Sequence, residues 1–323
     1  MERPNPDILL EKIVDETEKQ QERGRLKIFF GYAAGVGKTY AMLEAAHEAK
    51  KKGIDVVAGY IEPHTRPETM ALLDGLEQLP PKAVQYKGMI LKEFDLDAAI
   101  TRKPQLILVD ELAHTNASAC RHSKRYQDVE ELLKAGIDVY TTINVQHIES
   151  LNDIVASITG VVVRERIPDS VFDSADQVEL VDIGPDDLLE RLHKGKIYAE
   201  DKAYAALKNF FVKENLIALR EIALRRTADR VNKIAEKTKK NMDESYYTEE
   251  HVLICLSGSP SNAKVIRTAA RMVDAFRGSF TALYVESANH NEMNPENAKR
   301  LKENLRLAQQ LGARIVTVYG DDI

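Results

Sequence analysis

The sequence has no tryptophan and only two cysteines, Cys120 and Cys255, in 323 residues. Two thiols so far apart, in no metal-like spacing, support neither a disulfide-stapled fold nor a cysteine-based metal centre, and they fit a reducing compartment. Long hydrophobic runs are also missing. The most apolar stretches, such as LILV before Asp110, are strand-sized, whereas a membrane-spanning helix needs about 20 apolar residues. No membrane insertion by this chain is therefore expected. The polar, acidic N-terminus is unlike a signal peptide, so the cytoplasm is the natural location. Nor is there a basic excess: 45 basic against 51 acidic residues give a net charge of −6, which argues against a nucleic-acid partner. What remains is an ordinary globular composition, long enough for two domains that each bury a core.

Apolar periodicity alternates between the two regular elements through most of the first half. A charged N-terminal helix over residues 1–25 precedes an apolar strand at 26–31 and a helix from Lys38 that stops at Gly53. Strand-like residues 54–60, a helical PETMALLDGL, a short strand AVQY and a helical LDAAITRK follow. The apolar strand QLILVDE at 105–111 leads to a helix at 126–136, a strand at 137–144 and the helical VQHIESLNDIVASITG. VVVRERI and QVELVDI both read as further strands. Such alternation predicts an α/β fold, a mostly parallel sheet over residues 26–184 with its ligand crevice beyond the strands' carboxyl ends. Residues 185–240 read as a helical extension and 241–250 as a linker without apolar periodicity. Residues 251–323 open a second α/β unit of three strands and two helices, short for a domain.

Chemistry concentrates at FFGYAAGVGKTYAML, between the first strand and its helix. Gly31, Gly35 and Gly37 let backbone N–H groups, including those of Val36 and Tyr40, surround a phosphate without an obstructing Cβ, and the helix dipole adds a favourable field. Lys38 is placed for the β and γ phosphates and Thr39 for Mg²⁺, as in the loop that binds ATP. The standard spacing wants glycine at 32, where this chain has Tyr32, with Gly31 one residue early. The fold class expected is therefore a P-loop NTPase-like parallel sheet with a helical extension. Some 70 residues on, Asp110 at the end of a neighbouring parallel strand supplies the second magnesium-holding group, and Glu111 stands where a catalytic base would polarise water. The next strand ends at Thr142 and Asn144, and Asn144 is placed to sense the γ-phosphate. His114, Arg121, His122, Arg125, Gln146 and His147 lie at the same edge, mostly as surface residues, and any arginine there could neutralise phosphate charge. A strand-to-helix turn, a strand cap and a solvated helix face for His47 and Glu48 are the plain alternatives.

GVGKTYAMLEAAHEAK, LILVDELAHTN, RHSKRYQDVEELLKAGIDVYTTINVQHIESLNDIV, IPDSVFDSADQVELVDI and NLIALREIALRRTADRV together resemble the N-terminal cytoplasmic region of the KdpD family, potassium-responsive sensor histidine kinases of bacteria. The likeness runs from about residue 26 to 231, and the shifted glycine is usual in that family. It implies an ATP-binding regulatory input module, with the kinase core of the same longer protein or a related signalling kinase as partner, and it leaves a homodimer open. It also implies that residues 251–323 are part of a universal-stress-protein-like domain. In some members that domain binds cyclic di-AMP through Ser-x-Ser, 20 residues, then Phe-Thr-Ala-x-Tyr. Here Ser257 and Ser259 are followed by Phe280, Thr281 and Tyr284 at that spacing. Turn chemistry and a buried strand account for the same residues without a ligand. The kinase core is absent from the sequence, whose end inside an unfinished sheet suggests an excised piece. A free-standing ATPase using Glu111 is the competing expectation. Phosphoryl transfer to another acceptor would need an acceptor pocket, for which the sequence offers no motif.

Overall fold

A computed structural model of the chain describes residues 23–62, 67–86, 88–194, 210–240, 251–276, 278–286 and 294–320. The helix expected at the N-terminus, up to residue 22, and the linker at 241–250 lie outside the described residues. The chain forms two compact units, neither contiguous in sequence: Met1–Asn144 with Ala175–Leu216, and Val145–Ser174 with Ile217–Ile323.

The first unit has the expected α/β architecture. In chain order it contains β1 (Leu26–Gly31), α1 (Lys38–Lys51), β2 (Val56–Tyr60), α2 (Pro67–Ala71), β3 (Glu77–Gln78), β4 (Lys82–Tyr86), β5 (Met89–Glu93), α3 (Leu96–Arg102), β6 (Leu106–Val109), α4 (Arg125–Lys134) and β7 (Asp138–Asn144). After α5 (Asn152–Thr159) and α6 (Asp169–Asp173), which belong to the second unit, it is completed by β8 (Gln177–Leu180) and α7 (Pro185–His193). Six strands form one sheet in the order β3-β2-β6-β7-β1-β8, every pairing parallel. β6 is fully buried and apolar along its length, and β1 is so apart from the partly buried Lys27, because helices cover both faces of such a sheet. On α1 the buried Met42, Leu43, Ala46 and Ala49 recur at the 3.6-residue period and close over Phe29 and Leu108. Asp95 caps α3 by accepting from the Ala98 N–H at 3.0 Å.

Three local expectations are corrected. VVVRERI is not a strand: residues 161–166 carry no regular structure, Val162 is exposed, and Ile167 alone makes an isolated bridge, to Ile148. The edge of β1 that a further strand needs is taken by β8. PETMALLDGL is helical only over α2 and then turns, ending at Gly75 with φ +82°. AVQY lies within β4, but β4 pairs antiparallel with β5 in a separate two-stranded ribbon, outside the main sheet.

The second unit holds a three-stranded parallel sheet, β9 (His251–Cys255), β10 (Ser279–Glu286) and β11 (Arg314–Tyr319), with β10 central. Before it comes α8 (Lys213–Lys240), and α9 (Asn262–Phe276) and α10 (Pro295–Gln310) supply the crossovers. Ile254, Phe280 and Ala282 pack with Ile266, Ala270 and Ala308 into a core of its own. The 145–174 segment is fastened to α9 by charge. Arg267 donates to Glu149 through Nε at 3.2 Å and a terminal nitrogen at 2.7 Å, and Arg271 donates to Asp153 Oδ1 at 2.8 Å and to the Ser150 carbonyl at 2.7 Å. Among the described residues, no helix is long and apolar enough to cross a membrane.

Candidate functional site

The loop between β1 and α1 owes its shape to its glycines. Gly35 and Gly37 have φ of +93° and +109°, in the left-handed region that favours glycine, and a Cβ on Gly31 would come within 2.6 Å of the Val36 side chain. Gly37 is the N-cap of α1 and no side chain caps that helix, so its first-turn N–H groups are left for an anion. Val36 is buried, whereas Tyr40, at the third helical position, is two-fifths exposed. Lys38 is buried with its ammonium donating to the Ala33 carbonyl at 3.2 Å, folded back over the loop.

Asp110 does not sit on the strand next to β1, as expected, because β7 intervenes. Thr39 nevertheless reaches it. The Thr39 hydroxyl donates to Asp110 Oδ2 at 3.1 Å, bringing the two proposed magnesium-holding groups together. Asp110 also accepts from the Thr142 hydroxyl on β7 and from the Glu111 N–H, and it is 1% exposed. Because β7 lies between β1 and β6, its last residue emerges in the crevice: Asn144 pairs with Gly31, and its Oδ1 is buried with no partner among the described residues. Uncapped helical N–H groups, a lysine and a Thr–Asp pair suit a nucleoside triphosphate with its magnesium ion, and the unmatched Asn144 Oδ1 can accept from a water held beside it.

Glu111 lines a neighbouring cleft rather than pairing with Asp110 and Thr39. It has a positive φ of 58° and sits at the end of a cleft of about 890 Å³, walled by β5 and the loop after β6, with Tyr60, Glu62, Lys92, His114 and Arg121 among its lining residues. Although open to solvent at the cleft mouth, its carboxyl is pushed up to about 7, first by desolvation against the cleft wall and then by the charges of Asp110 and Glu62. A carboxylate poised near neutrality suits a general base.

The candidate arginines at this edge prove to be spoken for. Arg125, read as a loop residue, is fully buried at the start of α4: it donates to the Asp110 carbonyl at 3.0 Å, approaches Glu93 Oε2 at 3.4 Å and lies 4.1 Å over the Tyr60 ring. Arg121 pairs with Asp97 and Glu131, and His122 with Glu131 at 2.7 Å. His114 binds Glu93 at 3.0 Å. His147 and Gln146 begin the other compact unit, where His147 Nδ1 meets the Glu165 carbonyl at 2.7 Å. The sequence reading overlooked Arg191 on α7, which donates to the Gly35 carbonyl at 3.3 Å, and it had no account of Tyr32, whose hydroxyl donates to the Ile183 carbonyl at 3.1 Å. Arg191 and Ile183, the partner of Tyr32, both lie about 150 residues along the chain from the loop.

In the second unit, Ser257 and Ser259 lie in the turn between β9 and α9, pinned by side-chain amides. Asn262 donates to the Ser257 carbonyl at 2.8 Å, and Asn304 to the carbonyls of Ser257 and Ser259 at 3.0 and 3.3 Å. The register places Leu283 opposite Cys255, so Tyr284 lies level with the start of this turn. Phe280 and Thr281 lie near the other end of β10; Phe280 is about 13 Å from Tyr284 at the usual strand rise. Phe280 is in the core cluster, and Thr281 meets His251 at 3.0 Å. Burial, followed by Glu286, pushes the Tyr284 phenol up.

Residues 22–231 match the family model described as KdpD, "Osmosensitive K+ channel His kinase sensor domain". The sensor protein KdpD of Clostridium acetobutylicum is 57% identical over 324 residues, covering 100% of this chain and 36% of that protein. The sensor protein KdpD of Escherichia coli K12 is 48% identical over 318 residues, covering 98% and 35% respectively. A KdpD-named sensor protein of Synechocystis sp. is 49% identical over 268 residues, covering 83% of this chain and 72% of that protein. The chain thus spans about a third of the length of the first two relatives.

Proposed function

This chain belongs to the KdpD sensor family, and we propose that it is the ATP-binding input module of a potassium-responsive two-component sensor, in which bound Mg²⁺ and nucleotide set the output of a histidine kinase core. One observation carries the reading: the uncapped N-terminus of α1, shaped by Gly35 and Gly37, stands beside Lys38 and the Thr39–Asp110 pair. Backbone N–H groups and Lys38 would hold the phosphates, Thr39 and Asp110 the magnesium ion, and Asn144 would sense the γ-phosphate through its Nδ2 donor or through a water bound by its Oδ1. A second nucleotide, cyclic di-AMP, is assigned to the Ser257–Ser259 turn with Tyr284 at its edge, while Phe280 and Thr281 hold the strand that carries Tyr284. The kinase core as partner and the cytoplasmic location belong to the same proposal; the first two relatives extend well beyond the region this chain matches. Calorimetry tests it. Mg·ATP should bind saturably to the parent chain and at least tenfold more weakly to Lys38→Ala, and equal affinity in the two would refute the loop assignment. Cyclic di-AMP should bind the parent chain and lose affinity in Tyr284→Ala.

The cleft beside Glu111 favours a second reading, transfer of the γ-phosphoryl group. Glu111 would take the proton from water, or from an acceptor hydroxyl seated in the cleft, as that oxygen bonds to the γ-phosphorus and ADP departs. A cleft of this size gives the acceptor a place that the sequence did not reveal. Release of labelled inorganic phosphate from ATP would mark water as the acceptor, and label retained on an added protein or small molecule would mark a hydroxyl. Either should disappear in Glu111→Gln while ATP affinity stays nearly intact. Absence of both in the parent chain would leave ATP sensing alone.

A further inference from the structure

Helix α7 is locked beside the phosphate loop by contacts that no part of the loop motif requires. Leu188 and Leu192, one turn apart, are 0% and 1% exposed and fix the helix by its apolar side. The strand before it is stitched to β1, with the Val181 N–H donating to the Phe30 carbonyl at 2.7 Å, and Tyr32 holds the intervening turn through the Ile183 carbonyl. Tyr32 is fully buried. The side chain standing where the usual loop has glycine is therefore one of the contacts that hold α7 in place, together with Leu188, Leu192 and the Val181–Phe30 hydrogen bond. From α7, Arg191 reaches the Gly35 carbonyl, and a Cβ built on Gly37 would lie 3.8 Å from the Arg191 terminal nitrogen and 3.9 Å from Val181. Arg191 itself remains exposed.

The side of the loop that Arg191 occupies decides what it can touch. In a trans peptide the carbonyl points opposite to the N–H of the next residue. If the Val36 N–H turns into the phosphate cradle, the Gly35 carbonyl turns out of it. A guanidinium bound to that carbonyl lies outside the cradle, over the Gly37 shoulder where α1 begins. We propose that Arg191 is a nucleoside-binding residue: it keeps one N–H on the Gly35 carbonyl and offers the face of its guanidinium to the purine. Planar, weakly hydrated and always charged, that group stacks on aromatic rings better than an ammonium does. The inference rests on the reading of the loop as a nucleotide site and adds to it a contact that selects nucleotides over inorganic polyphosphate.

The test is calorimetry of the full chain against Mg·ATP and, separately, magnesium tripolyphosphate, which carries the phosphates without the nucleoside. Arg191→Ala should weaken ATP binding about tenfold, in the range expected for a partly exposed cation–π contact, and leave tripolyphosphate within twofold of the parent. Arg191→Lys, which keeps the charge but loses the plane, should recover only part of the ATP affinity. A purely structural arginine would move both ligands together. Parallel losses in Arg191→Ala, or no loss of either ligand, overturn this assignment alone. A parent chain that binds neither ligand overturns the phosphate-loop reading and this inference with it.

Discussion

Arg125→Met tests how the end of the Asp110 strand is held in place. The Arg125 guanidinium is 0% exposed, and with Glu93 it forms a buried charged pair that also satisfies the Asp110 carbonyl. Removing one member of such a pair strands the other charge, at a cost of about 3–5 kcal/mol. Glu93 would keep His114 and the Ala117 N–H, which donates at 2.9 Å, so the lower end applies, about 3 kcal/mol. For a unit of this size each kcal/mol moves the melting temperature by about 2–4 °C, giving a drop of roughly 6–12 °C. Without tryptophan, far-ultraviolet circular dichroism is the natural readout. Arg125→Met combined with Glu93→Gln should be less destabilised than Arg125→Met alone, because the stranded charge is gone while the other hydrogen bonds remain. Burial opposes ionisation of Glu93, but His114, the Ala117 N–H and Arg125 together hold its carboxyl below the ordinary 4.5. A depressed carboxyl stabilises fully above that value and loses its contribution as pH falls through the lower folded one. The advantage of the parent over Glu93→Gln should accordingly close on acidification. A fall of less than about 3 °C in Arg125→Met, set against the 6–12 °C estimate, or additive losses in the double variant, would refute the account.

Two further outcomes follow from the same geometry. Glu111 has its folded carboxyl raised to about 7 from 4.5, so ionisation destabilises the fold progressively as pH rises between those values. Glu111→Gln should therefore melt higher than the parent at pH 8 and equally at pH 4, and a pH-independent difference would contradict the burial and the Asp110 and Glu62 charges held to raise its carboxyl. In the second unit, a Cβ on Gly258 would meet the Asn297 carbonyl oxygen at 2.7 Å and the Asn297 Cβ at 2.8 Å. Gly258→Ala should cost about 1–3 kcal/mol by overpacking, seen as earlier melting of the β9–β11 unit in hydrogen exchange, while the Mg·ATP binding proposed for the β1–α1 loop is unchanged.

Contiguous signals were legible in the sequence and distant ones were not. The phosphate loop, Asp110–Glu111 and the strand ending at Asn144 each declare themselves within a dozen residues, because apolar strand, turn and helix follow one another. The parallel sheet follows from their alternation. The ribbon of β4 and β5 escaped because Met89 and Ile90 are exposed and carry no alternation of burial. VVVRERI misled for the opposite reason: its β-branched run has the composition of a strand but no free edge to join. Arg125 was misjudged because a short loop leads straight into a helix, and its burial is set by Glu93 and Tyr60, which are 32 and 65 residues away. Tyr32 read only as a departure from a motif, since Ile183, its partner, lies on a distant segment that folds back beside the loop.

The adjacent carboxylates show why the departure at Asp110–Glu111 is worth the strain. Side chains of consecutive extended residues point to opposite sides, but both would still belong to one strand end. The left-handed φ of Glu111, a conformation costing about 1–2 kcal/mol in a non-glycine residue, breaks the strand at that point. It is held from three directions: Arg125 takes the Asp110 carbonyl, the Glu111 N–H meets the Thr142 hydroxyl at 3.2 Å, and the Leu112 N–H meets the Thr142 carbonyl at 3.0 Å. Asp110 is thereby turned inward to Thr39 and Thr142, while Glu111 is turned out to the cleft. One carboxylate becomes a fixed acceptor beside the phosphate loop and the other a group that titrates near neutrality. A strained residue where the β1–α1 loop and an open cleft meet fits the proposed division of labour better than it fits stability, which a glycine at 111 would serve without the strain.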